Sequence, residues 1–214
     1  MYIPRHFEQP DVGALHELMR AHPLATLVTH SADGLNANHV PLHLAASVAP
    51  LGALQGHVAR ANPILRDFAA QHEVLAVFHG PQCYISPSLY ATKEETGKVV
   101  PTWNYVVVHA YGKVRVMDDA AWVRAQIEAL TDQQEASYPQ PWAVSDAPAE
   151  FTEKLIGGIV GFELVITGLS GKWKLSQNQP PKNQASVIAG LNASGQQAAS
   201  TVAMLVQAAT KDDH

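Results

Sequence analysis

The sequence predicts a mainly β chain with peripheral helices, an α+β architecture built on a barrel or sandwich. Two observations carry that expectation. Short β-branched and aromatic stretches recur, separated by Gly, Pro and Asp punctuation. Helical segments cluster late instead of alternating one-for-one with strands, which argues against a doubly wound parallel sheet.

The elements follow in order. Residues 2–4 form an extended lead-in. Pro10-Asp11 opens a helix whose Leu15, Leu18 and Met19 make one apolar stripe, and Pro23 ends it. Residues 24–29 read as a strand, Ser31-Ala32-Asp33-Gly34 as a turn, and residues 36–44 as the returning strand. Pro41 inside that second strand predicts an edge position, a bulge or a break. Residues 54–58 form a third short strand, and Pro63 suits the first position of a helix reaching about Gln71. Residues 73–78 read as a buried strand ending at Gly80-Pro81. Residues 84–87 begin another extended piece, and 89–99 an exposed excursion carrying Lys93, Glu94, Glu95 and Lys98.

The longest strand spans 99–116, VVPTWNYVVVHAYGKVRV. Its centre is β-branched and its second half alternates. Its front end, Thr102-Trp103-Asn104-Tyr105, exceeds what a core strand requires and suits stacking on a flat ligand while bonding its edge. Asp118-Asp119 then caps a helix through Leu130, with Trp122, Ile127 and Leu130 on its buried side. Residues 138–148 are Pro-rich and irregular, and 151–156 form a short helix. GIVGFELVITGL is a strand that turns at Gly168 into GKWKL. From Gln184 the chain is helical, interrupted at Gly195.

Composition narrows the function. The 214 residues are 47% hydrophobic and 15% charged, enough for a sizeable core and a surface partly covered by a partner, most simply a second copy. A net charge of −5 is unfavourable for general nucleic-acid binding. One cysteine, Cys83, permits no intrachain disulfide and no Cys-based zinc site, so a reducing compartment is expected. No signal region opens the chain and no apolar run reaches bilayer length; the expected location is cytoplasmic.

Chemistry-bearing motifs are few. The eleven histidines show no HExxH or close carboxylate spacing, so no metal is expected. There is no Gly-x-Ser-x-Gly elbow, no Walker sequence, and no GxGxxG between a strand and a helix. What stands out is a set of polar clusters at strand ends: Asn38-His39, 56–62 (GHVARAN), 102–105 (TWNY) and 172–178 (KWKLSQN). Singly, each has a plain structural reading, such as Arg60 and Asn62 capping the helix after Pro63. Together they offer cations for a phosphate, amides for a polar ring edge and indoles for stacking. That combination suits an aromatic phosphate ligand such as flavin mononucleotide (FMN).

Six segments, MYIPRHF, NHVPLHL, GHVARANP, VFHGPQCYISPSLY, VVPTWNYVVVHAYG and GFELVITGLSGKWKLSQNQP, occur here in the order seen in the PaiB-like family, often labelled FMN-binding negative transcriptional regulators. The chain resembles that family over about residues 1–192. The resemblance implies an FMN-binding split β-barrel of the pyridoxamine-phosphate-oxidase type over 1–192; the chain pattern adds a helical tail over 193–214. It also implies a homodimer with flavin sites at the subunit interface. By that likeness His57, Val58, Ala59, Arg60 and Asn62 hold the ribityl and phosphate, while Asn38, His39 and Val40 lie along the ring. Trp103 and Asn104 complete the pocket, and Lys174, Ser176 and Gln177 form a second polar wall. The chain departs from the family pattern at Gln179, where an Arg is expected, and at Asn183-Gln184, where an acidic–basic pair is expected.

Three functions are thereby in view. The first is a flavin protein, as an oxidoreductase or a flavin-linked regulator, with His39, His57 and Tyr105 the candidates for acid–base work. The second is a DNA-binding repressor, for which no recognition helix is visible. The third is a haem-binding split barrel with His6 or His214 as an axial ligand.

Overall fold

The computed structural model describes every residue except Asp33, Gln71 and 211–214. A short 3-10 turn, Arg5–Phe7, leads into β1 (Glu8–Gln9) and α1 (Val12–Ala21). There follow β2 (Leu24–Ser31), β3 (Gly34–Pro41), β4 (His43–Ala45), β5 (Ala53–Ala59) and α2 (Ile64–Ala69). Next come β6 (Glu73–Ile85), α3 (Thr92–Thr96), β7 (Thr102–Met117), α4 (Ala120–Glu135) and α5 (Ala149–Gly157). The chain closes with β8 (Ile159–Lys174), α6 (Pro181–Ala193) and α7 (Gln197–Ala209). The sheet runs β3-β2-β6-β7-β8-β5-β4, with β1 added to β8. Pro41 ends β3, which is an edge strand, where a missing N–H donor leaves no gap in the ladder.

The chain divides into two compact units. One comprises Val12–Phe78 and His109–Leu169. Its core includes Met19, Leu27, Leu54, Phe68, Phe78 and Leu164, with the Phe68 and Phe162 rings 5.0 Å apart. The other comprises Met1–Asp11, His79–Val108 and the chain from Ser170 on. Here Ile85, Val106, Val108 and Leu175 are buried, and α6 packs on α7 through Val187, Leu191, Val202 and Val206. Val106, Val107 and Val108 are buried in succession, so that stretch of β7 is covered on both faces. From His109 the burial alternates, as the sequence pattern requires.

Several boundaries differ from expectation, each for a non-local reason. β6 does not stop at Gly80-Pro81 but continues to Ile85. Its pairing with β2 covers only Leu75–Val77, so Pro81 lies beyond that ladder and its missing donor costs nothing there. β8 does not turn at Gly168, because β1 supplies a partner for its far end, Glu8 opposite Lys172 and Gln9 opposite Gly171. Residues 89–99 contain a short helix, α3, closed by Gly97 at φ 64°. Pro63 stands just before α2 rather than inside it. α4 begins as expected, with Asp119 Oδ1 accepting from Trp122 N at 2.7 Å, but it runs on to Glu135. Its buried residues are Val123 and Gln126, with Trp122, Ile127 and Leu130 only half-buried. Asp33 of the expected turn lies outside the described residues, and Gly34 has φ 104°.

Candidate functional site

The expected site residues fall into two groups, one in each unit. The first occupies the end of β5 and the C-terminal half of β3. Asn62 Nδ2 donates to Asn38 Oδ1 at 3.2 Å, and Asn62 Oδ1 accepts from Ile64 N at 3.0 Å, capping the first turn of α2. His39 is exposed on β3, its Nδ1 3.2 Å from Thr26 Oγ1. Val40 and Val58 point into the core, at 5% and 6% exposure, and can offer a ligand only their backbone. Ala59 is exposed at the strand's end.

Arg60 is committed elsewhere. Its Nη1 and Nη2 donate to both carboxylate oxygens of Asp118, at 2.9 and 2.8 Å, its Nε donates to Gly157 O, and Nη2 also donates to Ile159 O. This fork ties the end of β5 to the segment after β7 and to the α5–β8 junction. The pairing raises the guanidinium pKa and holds the Asp118 carboxyl below its usual range. The expected phosphate ligand is thus a clamp within the fold, with one N–H of its five not engaged.

His57 is half-buried on β5, and its Nδ1 meets Gln126 Oε1 at 2.8 Å. An Nδ1–H on His57 would donate to this amide oxygen. Gln126 is 2% exposed, and its Nε2 has no partner among the described residues. This amide was invisible to sequence reading. A Gln on an amphipathic helix carries no mark of being buried until the helix is placed.

The second group surrounds the turn after β8. Asn104, 1% exposed, donates from Nδ2 to Ser176 Oγ at 2.9 Å, and that hydroxyl returns a bond to Asn104 Oδ1 at 3.3 Å. Lys174 Nζ donates to Thr102 Oγ1 and to Trp103 O, the latter at 2.8 Å. Burial, and then the charge of Lys172, push the Lys174 pKa down. Lys172 Nζ lies 5.5 Å from the Tyr105 ring centre, a cation–π contact. Trp103 is 51% exposed, its ring 6.0 Å from that of the exposed Tyr84.

Gln177 pins the turn: Oε1 accepts from Leu175 N at 2.7 Å and Nε2 donates to Trp173 O at 2.7 Å. Ser176 adopts φ 65°, the one non-glycine positive φ among the described residues. The residues that depart from the family pattern form a neutral network around this turn. Asn183 Nδ2 donates to Gln179 Oε1 and to Thr92 Oγ1, both at 3.0 Å, and Asn183 Oδ1 accepts from Thr92 N at 3.0 Å. Gln184 Nε2 donates to Ser176 O at 3.2 Å.

A polar cavity of about 150 Å³ opens beside this turn, with Thr102, Asn104, Lys174, Ser176, Asn178 and Gln179 among its walls. Sequence reading missed Asn178 as a wall and took Gln179 only as a departure from pattern. A larger groove of about 580 Å³ lies in the other unit, walled in part by Asn36, Pro63, Arg66 and His72. That size is within the ~300–1,000 Å³ usual for small-molecule sites.

No three His, Cys, Asp or Glu side chains converge as a metal would need among the described residues. His6 is exposed with its ring 4.1 Å from Phe7, and His214 lies outside the described residues. Among the described residues no helix is long and apolar enough to cross a membrane.

The fold corresponds to a known class. The chain is similar to the FAD and haem binding protein of Mycobacterium smegmatis, with 17% identity, a TM-score of 0.61, and coverage of 86% of this chain and 80% of that one. It is also similar to the flavocytochrome Anf3 of Azotobacter vinelandii, at 13% identity, TM-score 0.58, and coverage of 80% and 72%. At such identities the likeness establishes the fold, a mainly antiparallel split barrel with helices. Closer relatives share sequence. A protein of Emericella nidulans is 35% identical over 97% of this chain and 96% of its own length. The Bacillus subtilis protease synthase and sporulation protein PAI 2 is 30% identical over 88% and 87%. Residues 1–168 match the family described as "Putative FMN-binding domain". The chain belongs to this FMN-binding, PaiB-like family, and FMN is its cofactor.

The residues fit such a group in part. The cation, amides and hydroxyls around Lys174 and Asn104 suit its polar portions, and exposed Trp103 offers an indole face. The 150 Å³ cavity cannot by itself enclose a three-ring cofactor, and Arg60 is already paired.

Proposed function

We propose that this chain is an FMN-dependent oxidoreductase acting as a homodimer in a reducing, cytoplasmic setting. The observation that carries the reading is the cluster around Lys174, Asn104 and Ser176, polar and cationic, on the same strand end as the exposed Trp103. Bound FMN supplies hydride and electron transfer, and the chain's task is to hold and orient it. Trp103 would stack, and Asn178 and Gln179 would bond polar edges. Exposed Tyr84, Trp103 and Val100 lie in one unit and favour a second copy as their cover.

Absorbance spectra before and after FMN addition and desalting test the reading. The expected result is a retained pair of flavin bands, weakened in Trp103→Ala. Folded protein that retains no flavin at micromolar concentration would overturn it.

A further inference from the structure

The size and donor set of the cavity beside the β8 turn narrow which part of a ligand it can hold. Its volume of about 150 Å³ is roughly five times the ~30 Å³ share of one liquid water. That is room for an oxyanion of about five heavy atoms. No carboxylate is among its lining residues, and its one cation is Lys174. Two of the three Nζ protons of Lys174 go to Thr102 Oγ1 and Trp103 O, and the third has no partner among the described residues.

The turn itself supplies further donors. The backbone N–H groups of Ser176, Gln177 and Asn178 have no acceptor among the described residues, and neither do the Asn178 Nδ2 and Gln179 Nε2 amides. Ser176 holds the left-handed conformation, φ 65°. Successive N–H groups around a left-handed residue form an anion-binding concavity. The neutral network of Gln179, Asn183, Gln184 and Thr92 fixes the shape of the turn without adding negative charge.

We propose that this cavity is a small-oxyanion site, holding a phosphate-type group through Lys174, the backbone N–H groups of Ser176 and Asn178 and the Asn178 and Gln179 amides. The group has two possible sources: the terminal phosphate of the cofactor, in which case the inference rests on the flavin reading, or a separate phosphate-bearing substrate. The chemistry of the cavity is the same for both.

The test is a titration of full-length, flavin-free protein with inorganic phosphate at constant ionic strength, followed by backbone amide NMR. Saturable shifts at residues 176–179 are expected, at least tenfold weaker in affinity in Lys174→Met. Gln179→Glu retains the acceptor for Asn183 while adding a negative charge, and should weaken binding similarly with the fold intact. FMN and riboflavin affinities then separate the sources. FMN preferred at least tenfold, with the preference lost in Lys174→Met, assigns the site to the cofactor. Equal affinities with phosphate shifts intact assign it to a substrate. Phosphate binding in a protein that takes up no flavin would sink the flavin reading and leave this one standing. No saturable shift, or a shift unchanged in both variants, overturns the site.

Discussion

At the scale of single residues, the structure separates side chains that hold the fold from those open to a ligand. Arg60 and Lys174 both stood out in the sequence as cations beside strand ends. Arg60 is matched by Asp118 in a two-point fork, while Lys174 has only neutral oxygens as partners. The Arg60–Asp118 pair has a pH consequence. Asp118 has a folded pKa below its ordinary 3.8, owing first to its hydrogen bond from Arg60. A depressed carboxylate favours the folded state above the unfolded pKa, and this is lost as pH falls through the folded value. The pair is exposed, so the effect is small and screened by salt. Asp118→Asn should therefore show a shallower loss of stability below about pH 4 than the parent, by urea denaturation at several pH values. Equal slopes would mean that Asp118 is not paired in solution. Cys83 is half-buried, and burial raises its thiol pKa, which makes it a poor nucleophile.

At the scale of elements, sequence pattern and structure agree where the cause is local. The cap at Asp119, the edge position of Pro41 and the buried Val106–Val108 run follow from side-chain chemistry within a few positions. The misjudged boundaries have distant causes. The extension of β8 depends on β1, and the persistence of β6 past Pro81 depends on where β2 stops pairing. Gly112 is the sharpest case of a distant cause. A Cβ there would meet Val165 O at 2.1 Å and Leu164 Cδ2 at 2.7 Å. The obstacle is backbone on β8, which cannot rotate aside as a flexible side chain could. Gly112→Ala should lose about 1–3 kcal/mol by denaturant unfolding, the range for overpacking a filled site. A control, Gly157→Ala, has nothing within 4 Å of its added carbon and should stay within about 0.5 kcal/mol. Equal stability of the two variants would place β7 and β8 farther apart than described.

At the scale of the whole molecule, the site was legible in outline only. The sequence showed which residue types were unusual and roughly where, but not that Asn104 and Ser176, 72 positions apart, are bonded to one another. Nor could it show that Gln126 reaches His57 across 69 positions. Such pairings arise from the fold's long-range contacts, and they decide which polar groups remain for a ligand. The remaining question at this scale is what covers Tyr84, Val100 and Trp103, at 50%, 73% and 51% exposure in one unit. DNA is a poor candidate, since the net charge is −5 and a second copy would double it. A second copy suits these exposed aromatic and apolar side chains, because burial of the rings favours association. Light scattering during gel filtration should give about twice the 23.0 kDa chain mass. Trp103→Glu places a charge beside the Tyr84 ring and should return a monomer, whereas Trp142→Glu alters an exposed indole of the other unit and should leave the dimer intact. A parent mass of one chain at 100 μM would remove the homodimer. A dimer that survives Trp103→Glu would move its interface away from the strand end that carries Lys174.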